Sequence, residues 1–402
     1  MKSRSPLLVI FLTVFIDLIG FGICLPLMTK YAARYGAEGW VIGAVMAAYS
    51  LMQLIFAPWW GALSDRIGRR PVLLVSTAGA VGSYLLFALS ARFAGSAGLA
   101  VLLGSRLFAG ICGANISVAS AAIADVTTPE KRSRGMGLIG MAFGVGFVFG
   151  PVIGGLSFAH LGLAGPGLVA AGLCTFNFLL ALAILPETRP AGLRPASEPI
   201  NRWNLIQTTL ARPVVGFLIV LYFAATFSFS CFESVLPLLL NDLFHLDEEH
   251  ISYFFAYCGI MGALIQGAAV RPLVKYLGDE NLVWFSLFLA ALALLSLPFA
   301  RHLALMLVAL ALFAGGSGLN RPPTMGLVSR HSPADSQGAT MGVVQNAGTL
   351  ARVIGPLVAT SLYHWRLAAP FLFCAGVAAA AGTVAFNRLR RPLPITKVPV
   401  PA

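Results

Sequence analysis

GALSDRIGRRPVLL, residues 61–74, places Asp65, Arg66, Arg69 and Arg70 within six positions, between long apolar runs. Only 10% of the 402 residues are charged, 58% are hydrophobic, and the mean hydropathy is +0.85. A soluble domain is about a quarter charged. The loop is a charged island in a chain suited to lipid. A hydrocarbon layer about 30 Å thick takes roughly 20 apolar residues per helix. Backbone polar groups must be satisfied inside a spanning segment, which leaves helices or a closed barrel. A barrel would alternate polar and apolar residues in strands of about ten. The runs here are long and continuous, so they read as helices.

Working outward from the loop, the runs give twelve spans: 6–28, 40–62, 72–91, 98–124, 135–158, 165–186, 213–240, 249–273, 281–299, 302–325, 339–363 and 368–387. The stretch PETRPAGLRPASEPINRW, rich in proline and charge, separates the sixth from the seventh. The expected organisation is a six-helix bundle (1–186), a linker (187–212) and a second six-helix bundle with a short tail (213–402). If both termini lie on one side, that side holds 20 of the 27 Lys and Arg residues, counting Arg271 and Arg321 at the span ends that face it. Five lie on the other side, and Arg106 and Arg352 lie deep within spans. The positive-inside rule then places both termini in the cytoplasm. It also accounts for the net charge of +12, so nucleic-acid binding is not expected.

The halves repeat. LFAGICGAN at 107–115 matches LFAGGSGLN at 312–320. The same register aligns Gly150-Pro151 with Gly355-Pro356. LPL recurs at 25–27 and 236–238. Parallel six-span repeats are one plan of secondary transporters, with sites near the midplane. The six cysteines all fall in apolar runs without a CxxC pair, which reads as small hydrophobes, not metal ligands or disulfides.

Gly61-x3-Asp65-Arg66-x-Gly68-Arg69-Arg70 resembles the signature between helices 2 and 3 of the major facilitator superfamily. Gly137-x8-Gly146-x3-Gly150-Pro151-x2-Gly154-Gly155 is similar to the helix 5 motif of its drug:proton antiporter branch. Gly104-Ser105-Arg106 with Gly110, and Asp17 with Gly20, Gly22 and Pro26, resemble that branch's helices 4 and 1. LMQLIFAPWWGALSDRIGRRPVLL (51–74) and ASAAIADVT (119–127) are similar to bacterial tetracycline efflux proteins. The resemblance implies an all-α integral membrane protein of the major facilitator fold, in a bacterial inner membrane. It implies a transporter and not an enzyme, driven by the proton motive force with no cofactor or metal, and expected as a monomer.

Gly61 and Gly68 are expected to allow a sharp turn. Pro71 suits a helix start, and Asp65 is placed to face a helix dipole. In the family this loop latches the halves, which implies pairing of Asp65 and Arg69 with groups such as Asp125 and Arg330. The helix 5 glycines are expected to let a neighbouring helix pack closely, in a tight contact between halves. The copy in helix 11 is degraded: Gly342, Ala351, Gly355-Pro356, Ala359 and Thr360.

Ionisable groups inside spans are functional candidates. Asp17 and Glu233 are the candidate proton carriers. Arg106 would tune one of them or bind an anionic group, and Arg352 has a functional or structural reading. None of the four aligns with a charge in the other repeat, so they are additions to the shared scaffold. Phe21, Gln53, Asn115, Phe229, Tyr257, Gln345, Asn346 and Arg352 are candidate lining for an apolar cavity with a few polar groups. Tetracycline exporters carry further acids in helices 3 and 9. Here the helix 3 position reads as Ser83 and helix 9 has none, which argues against tetracycline itself. The leading expectation is a proton-coupled exporter of amphiphilic drug-like or lipid-like molecules. The alternative is a facilitator or importer of an organic anion or metabolite without proton coupling.

Overall fold

The computed structural model describes residues 6–113, 115–127, 129–188, 202–333 and 336–390; the side chains of 6, 115, 129–140, 143 and 202 are outside the description. All the regular structure among these residues is helical: α1 Pro6–Cys24, α2 Met28–Arg34, α3 Trp40–Ile67, α4 Arg69–Ser90, α5 Gly95–Cys112, α6 Asn115–Val126, α7 Pro129–Leu161, α8 Gly165–Ile184, α9 Arg202–Leu210, α10 Pro213–Phe244, α11 Glu248–Leu264, α12 Val270–Leu277, α13 Asp279–Ser296, α14 Leu303–Arg330, α15 Gln337–Trp365 and α16 Ala369–Leu389. Each of the twelve expected spans corresponds to one of these helices or to a consecutive pair. Among the described residues ten stretches are long and apolar enough to cross a membrane, one of them, Gly144–Ile184, covering two of the expected spans. α15 falls outside the ten because Gln345, Asn346, Thr349 and Arg352 interrupt its apolar surface.

The helices differ from the hydropathy runs in two ways. First, they are longer. α3 runs 28 residues, about 42 Å at 1.5 Å per residue, so it extends beyond the hydrocarbon layer. Hydropathy stops at the first charges; helical hydrogen bonding does not. Secondly, three expected spans are interrupted. Pro26 lacks an N–H, and Leu25–Leu27 tighten to a 3-10 turn between α1 and α2. Span four breaks after Cys112 at Gly113. Span eight passes through a π-turn at Ile265–Ala269, a device common at functional sites.

The chain forms two compact units: Met1–Glu198 with Leu236–Gly259, and Pro199–Val235 with Ile260–Ala402. In the first, α1 packs most extensively on α7, and α4 lies against α5 and α8. Its core includes Ile23, Leu27, Tyr31, Phe87 and Leu102, with a second cluster around Ile10, Trp60, Leu73 and Ile123. In the second unit, α13 sits between α14 and α16, over a core containing Leu218, Tyr222, Val283, Leu327 and Val344.

Gly146, Gly150 and Gly154 recur every four residues, which puts them on one helix face. That face meets α1 backbone to backbone. A Cβ on Gly150 would lie 2.6 Å from the Gly22 Cα, and one on Gly154 would lie 2.3 Å from the Ile23 carbonyl oxygen. A Cβ on Gly146 would lie 3.1 Å from the Leu18 carbonyl carbon. Gly155 faces elsewhere: its added Cβ would lie 2.8 Å from the Ser252 Cβ of α11, in the same compact unit. Pro151 lies inside α7. Gly137 is helical, with its surroundings outside the described residues.

Backbone cannot yield to a new side chain as a flexible chain end can. Gly150→Leu is therefore expected to cost about 3 kcal/mol or more, at the top of the overpacking range. Detergent-solubilised protein should lose its monodisperse peak on size-exclusion chromatography. Gly144→Leu is the matched control, because nothing lies within 4 Å of a Cβ there. Equal behaviour of the two would refute the close-packing account.

Candidate functional site

The charged loop of 61–74 resolves into a cluster inside the first unit. Gly68 has φ +101 and connects α3 to α4. Arg69, 6% exposed, is its centre. Its guanidinium donates to Asp65 at 2.8 Å, to Asp125 at 3.1 Å and to the Ser64 hydroxyl at 2.5 Å. Of the expected pairings Arg69 with Asp125 is present, while Asp65 pairs with Arg69 of its own loop. Arg66 is exposed in the last turn of α3, and Arg70 donates to the Leu182 carbonyl at 2.8 Å. Arg330 pairs with Asp279 in the second unit.

Two expectations for this loop are corrected. Gly61 does not make the turn: it lies within α3, and a Cβ there would meet nothing. Asp65 does not cap the next helix, because it closes α3 and its carboxylate binds Arg69. The α4 N-terminus is instead capped by Glu187, at the start of the expected linker. Its two oxygens accept the backbone N–H groups of Arg69 (2.9 Å) and Arg70 (3.1 Å). Free N–H groups and the dipole both favour an anion there. Gly68 is required twice over: its φ is positive, and a Cβ would lie 2.4 Å from a Glu187 oxygen. Pro71 falls in the first turn of α4, where its missing N–H costs no helical bond.

Further along the same unit, Val14, Asp17, Leu18, Phe21, Tyr49 and Tyr84 help to line a small cavity of about 50 Å³. Ala80 and Ser83 of α4 line it beside Tyr84, and Cys174 of α8 lines it too. Phe21 lies against Tyr49, with ring centres 5.0 Å apart. The Asp17 carboxylate accepts a hydrogen bond from the Asn177 amide at 2.9 Å. Gln53 is outside the cavity wall and donates to the Gly113 carbonyl at 3.0 Å. The side chain of Asn115 is outside the described residues.

Arg106, 3% exposed, lies over two aromatic rings, 5.7 Å from the centre of Tyr84 and 5.2 Å from that of Phe87. Its polar contact is the Ser105 hydroxyl at 3.4 Å, and Nη2 is buried without a hydrogen-bond partner. Tyr84 is thus shared between the Arg106 contact and the cavity that Asp17 lines.

In the second unit, Glu233 of α10 is 8% exposed, and its Oε1 is buried without a hydrogen-bond partner. Arg352 of α15 is near enough to act on it electrostatically and lies 3.4 Å from the Thr349 hydroxyl. The helices approach through small residues: a Cβ on Gly355 would lie 3.0 Å from that of Ser230, and the Cys231 thiol donates to the Gly355 carbonyl. Phe229 stacks on Phe313 with centres 6.1 Å apart. Gln345 and Asn346 are on the exposed face of α15, and Tyr257 is half-buried on α11. The structure thus brings Asp17 and Phe21 to one cavity and Glu233 and Arg352 to one helix pair. No group of three or more metal-ligating side chains occurs among the described residues.

Asn177 and Glu187 are the two polar residues that sequence reading missed. A lone amide in the apolar run GLCTFNFLL was a visible signal. Glu187 had none, since its partners are backbone N–H groups 117 and 118 positions away.

Comparison with known proteins is consistent across the chain. The profile of the Major Facilitator Superfamily matches residues 10–356 and 272–402. The class C tetracycline resistance protein of Escherichia coli is 33% identical over 376 residues, spanning 90% of this chain and 91% of its own. Human major facilitator superfamily domain-containing protein 10 is 30% identical over 420 residues, covering 92% and 90%. The crystal structure of the human organic anion transporter MFSD10 (TETRAN) superposes with a TM-score of 0.71 at 29% identity, over 96% of this chain and 100% of that one.

Proposed function

Because the chain belongs to the Major Facilitator Superfamily, with twelve membrane-spanning helices, we propose that it is a proton-coupled exporter of amphiphilic drug-like or lipid-like molecules, acting by alternating access. The working arrangement is a bundle at 1–186, a linker at 187–212 and a bundle at 213–402, in a bacterial inner membrane with both termini cytoplasmic. The substrate is a small molecule, and the protein acts as a monomer without a cofactor.

The observation that carries this reading is Asp17 in the wall of a largely apolar and aromatic cavity. A carboxylate at membrane depth is costly unless it has a use or a partner. Beside Phe21, Tyr49 and Tyr84 it offers a proton site that an amphiphile, above all a cationic one, could displace. Glu233 supplies a second buried carboxylate. The available energy suffices: one proton yields about 1.4 kcal/mol per pH unit, and one charge about 2.3 kcal/mol per 100 mV. The relatives named for tetracycline resistance support export. The organic anion transporter supports a second reading, in which Arg106 or Arg352 meets an acidic substrate. The buried Nη2 of Arg106, which has no hydrogen-bond partner, favours that alternative.

Everted vesicles with an acidified lumen and a pH dye distinguish the readings. The panel is lipophilic cations, neutral amphiphiles, tetracycline and organic anions. Proton release on adding a cation or neutral amphiphile is expected. Labelled organic anion crossing without proton movement, with no response to the other classes, would overturn the exporter reading.

A further inference from the structure

We infer that Asn177 is a positioning residue for Asp17, presenting its carboxylate with a hydrogen-bond donor that cannot turn away. This rests on the reading of Asp17 as the proton carrier. Asn177 is fully buried in α8. Both bonds from its Nδ2 go to α1: one to the Thr13 carbonyl oxygen and one to the Asp17 carboxylate, each 2.9 Å. The Thr13 carbonyl is an acceptor at every pH. Turning the amide over would set its oxygen against that carbonyl and lose the bond. The second N–H is therefore held toward Asp17 whether or not a proton is present. The Asn177 Oδ1 is buried with no partner. A buried acceptor left unpaired is a cost that native structures seldom tolerate without reason. Here the amide commits all its donors to α1 and leaves its own oxygen unsatisfied.

A donor aimed at a carboxylate favours the ionised form. Burial in an apolar wall favours the protonated one. A proton carrier needs both tendencies in balance, or it never releases its proton. Other ionisable groups lie in the elements around Asp17. Cys174 of α8 and Tyr49 and Tyr84 line the same cavity. Arg106 of α5 faces Tyr84. α6 and the described side chains of α7 add only Asp125 and His160, at the ends of their helices.

The test is an infrared titration of purified full-length protein in nanodiscs, following the C=O stretch of protonated carboxyl groups. The band missing in Asp17→Asn assigns the Asp17 signal. In Asn177→Leu the pH at which that signal is half developed should rise by about one unit, a tenfold change in proton affinity. Asn177→Asp keeps the size and some polarity, and serves where the leucine variant does not yield monodisperse protein. It should also raise the half-point and spread it into two coupled steps. An Asp17 band unmoved in both variants would overturn the inference while sparing the Asp17 reading. Wild-type protein with no Asp17-dependent band between pH 4 and 10 would overturn the reading itself, and the inference with it. A merely structural role for Asn177 predicts lower thermal stability with the half-point unchanged.

Discussion

Asp17→Asn is expected to reduce concentrative transport to background while leaving downhill exchange of substrate running. The amide has the shape of the carboxylate and an oxygen in the same place. The Asn177 N–H that donates to Asp17 at 2.9 Å keeps an acceptor, so the α1–α8 contact survives. What disappears is the capacity to bind and release a proton. Without it, neither the pH difference nor the membrane potential can be spent on moving substrate, and a gradient of a few hundredfold, about 3.4 kcal/mol, is out of reach. Counterflow needs only alternating access and should persist within several-fold of wild type for a neutral substrate. The measurement is labelled-substrate uptake in everted vesicles, with and without an uncoupler, beside counterflow in proteoliposomes. Retained, uncoupler-sensitive accumulation would remove Asp17 from the proton path. Glu233→Gln provides a second arm: its effect should fall on the same coupled component.

The order of elements was legible because lipid punishes unpaired backbone so heavily that long apolar runs have one interpretation. The interruptions were less so. Pro26 signals its own break, yet Gly113 looks like any other glycine in a span, and the π-turn at Ile265–Ala269 has no local signature. The four-residue spacing of Gly146, Gly150 and Gly154 announced a smooth helix face. It did not say which helix would lie on it; Gly22 and Ile23 of α1 supply the answer. In the charged loop the pairing of Arg69 with Asp125 was legible and Arg330's pairing with Asp279 was not, nor was the cap on α4, since backbone donors carry no residue identity. Gly61 was misread because a glycine beside a turn and a glycine in the turn look alike until φ is known. Attention to charges in spans found Asp17 and passed over Asn177, the amide that touches it.

The repeat makes the second large prediction. Gly68 and Gly278 both have positive φ and both precede a helix, α4 and α13. Aligning them sets Asp65 on Lys275, Arg69 on Asp279 and Arg70 on Glu280; the register of the later repeat sets Asp125 on Arg330. Every one of these charges is inverted. The ion pair survives inversion: Arg69 with Asp125 in one unit, Asp279 with Arg330 in the other. The geometry therefore demands opposite charges at two positions and is indifferent to which carries which. Arg69→Asp alone crowds three carboxylates where one guanidinium bound two, and should cost about 3 kcal/mol, the scale of breaking a buried pair. The partial exposure of Asp65 and Asp125, 41% and 28%, keeps the cost from rising further. Full inversion, Asp65→Lys with Arg69→Asp and Asp125→Arg, should recover at least half of the lost thermal stability. Glu187→Gln is needed beside it. The new carboxylate would otherwise face Glu187 at the same helix end, a conflict the second unit avoids by carrying Asp279 and Glu280 in the first turn itself. Melting curves of the single, triple and quadruple variants in one detergent decide the matter. A quadruple variant no more stable than Arg69→Asp would mean that the polarity of this pair is fixed by its surroundings, and that the inversion between repeats required changes well beyond the charges.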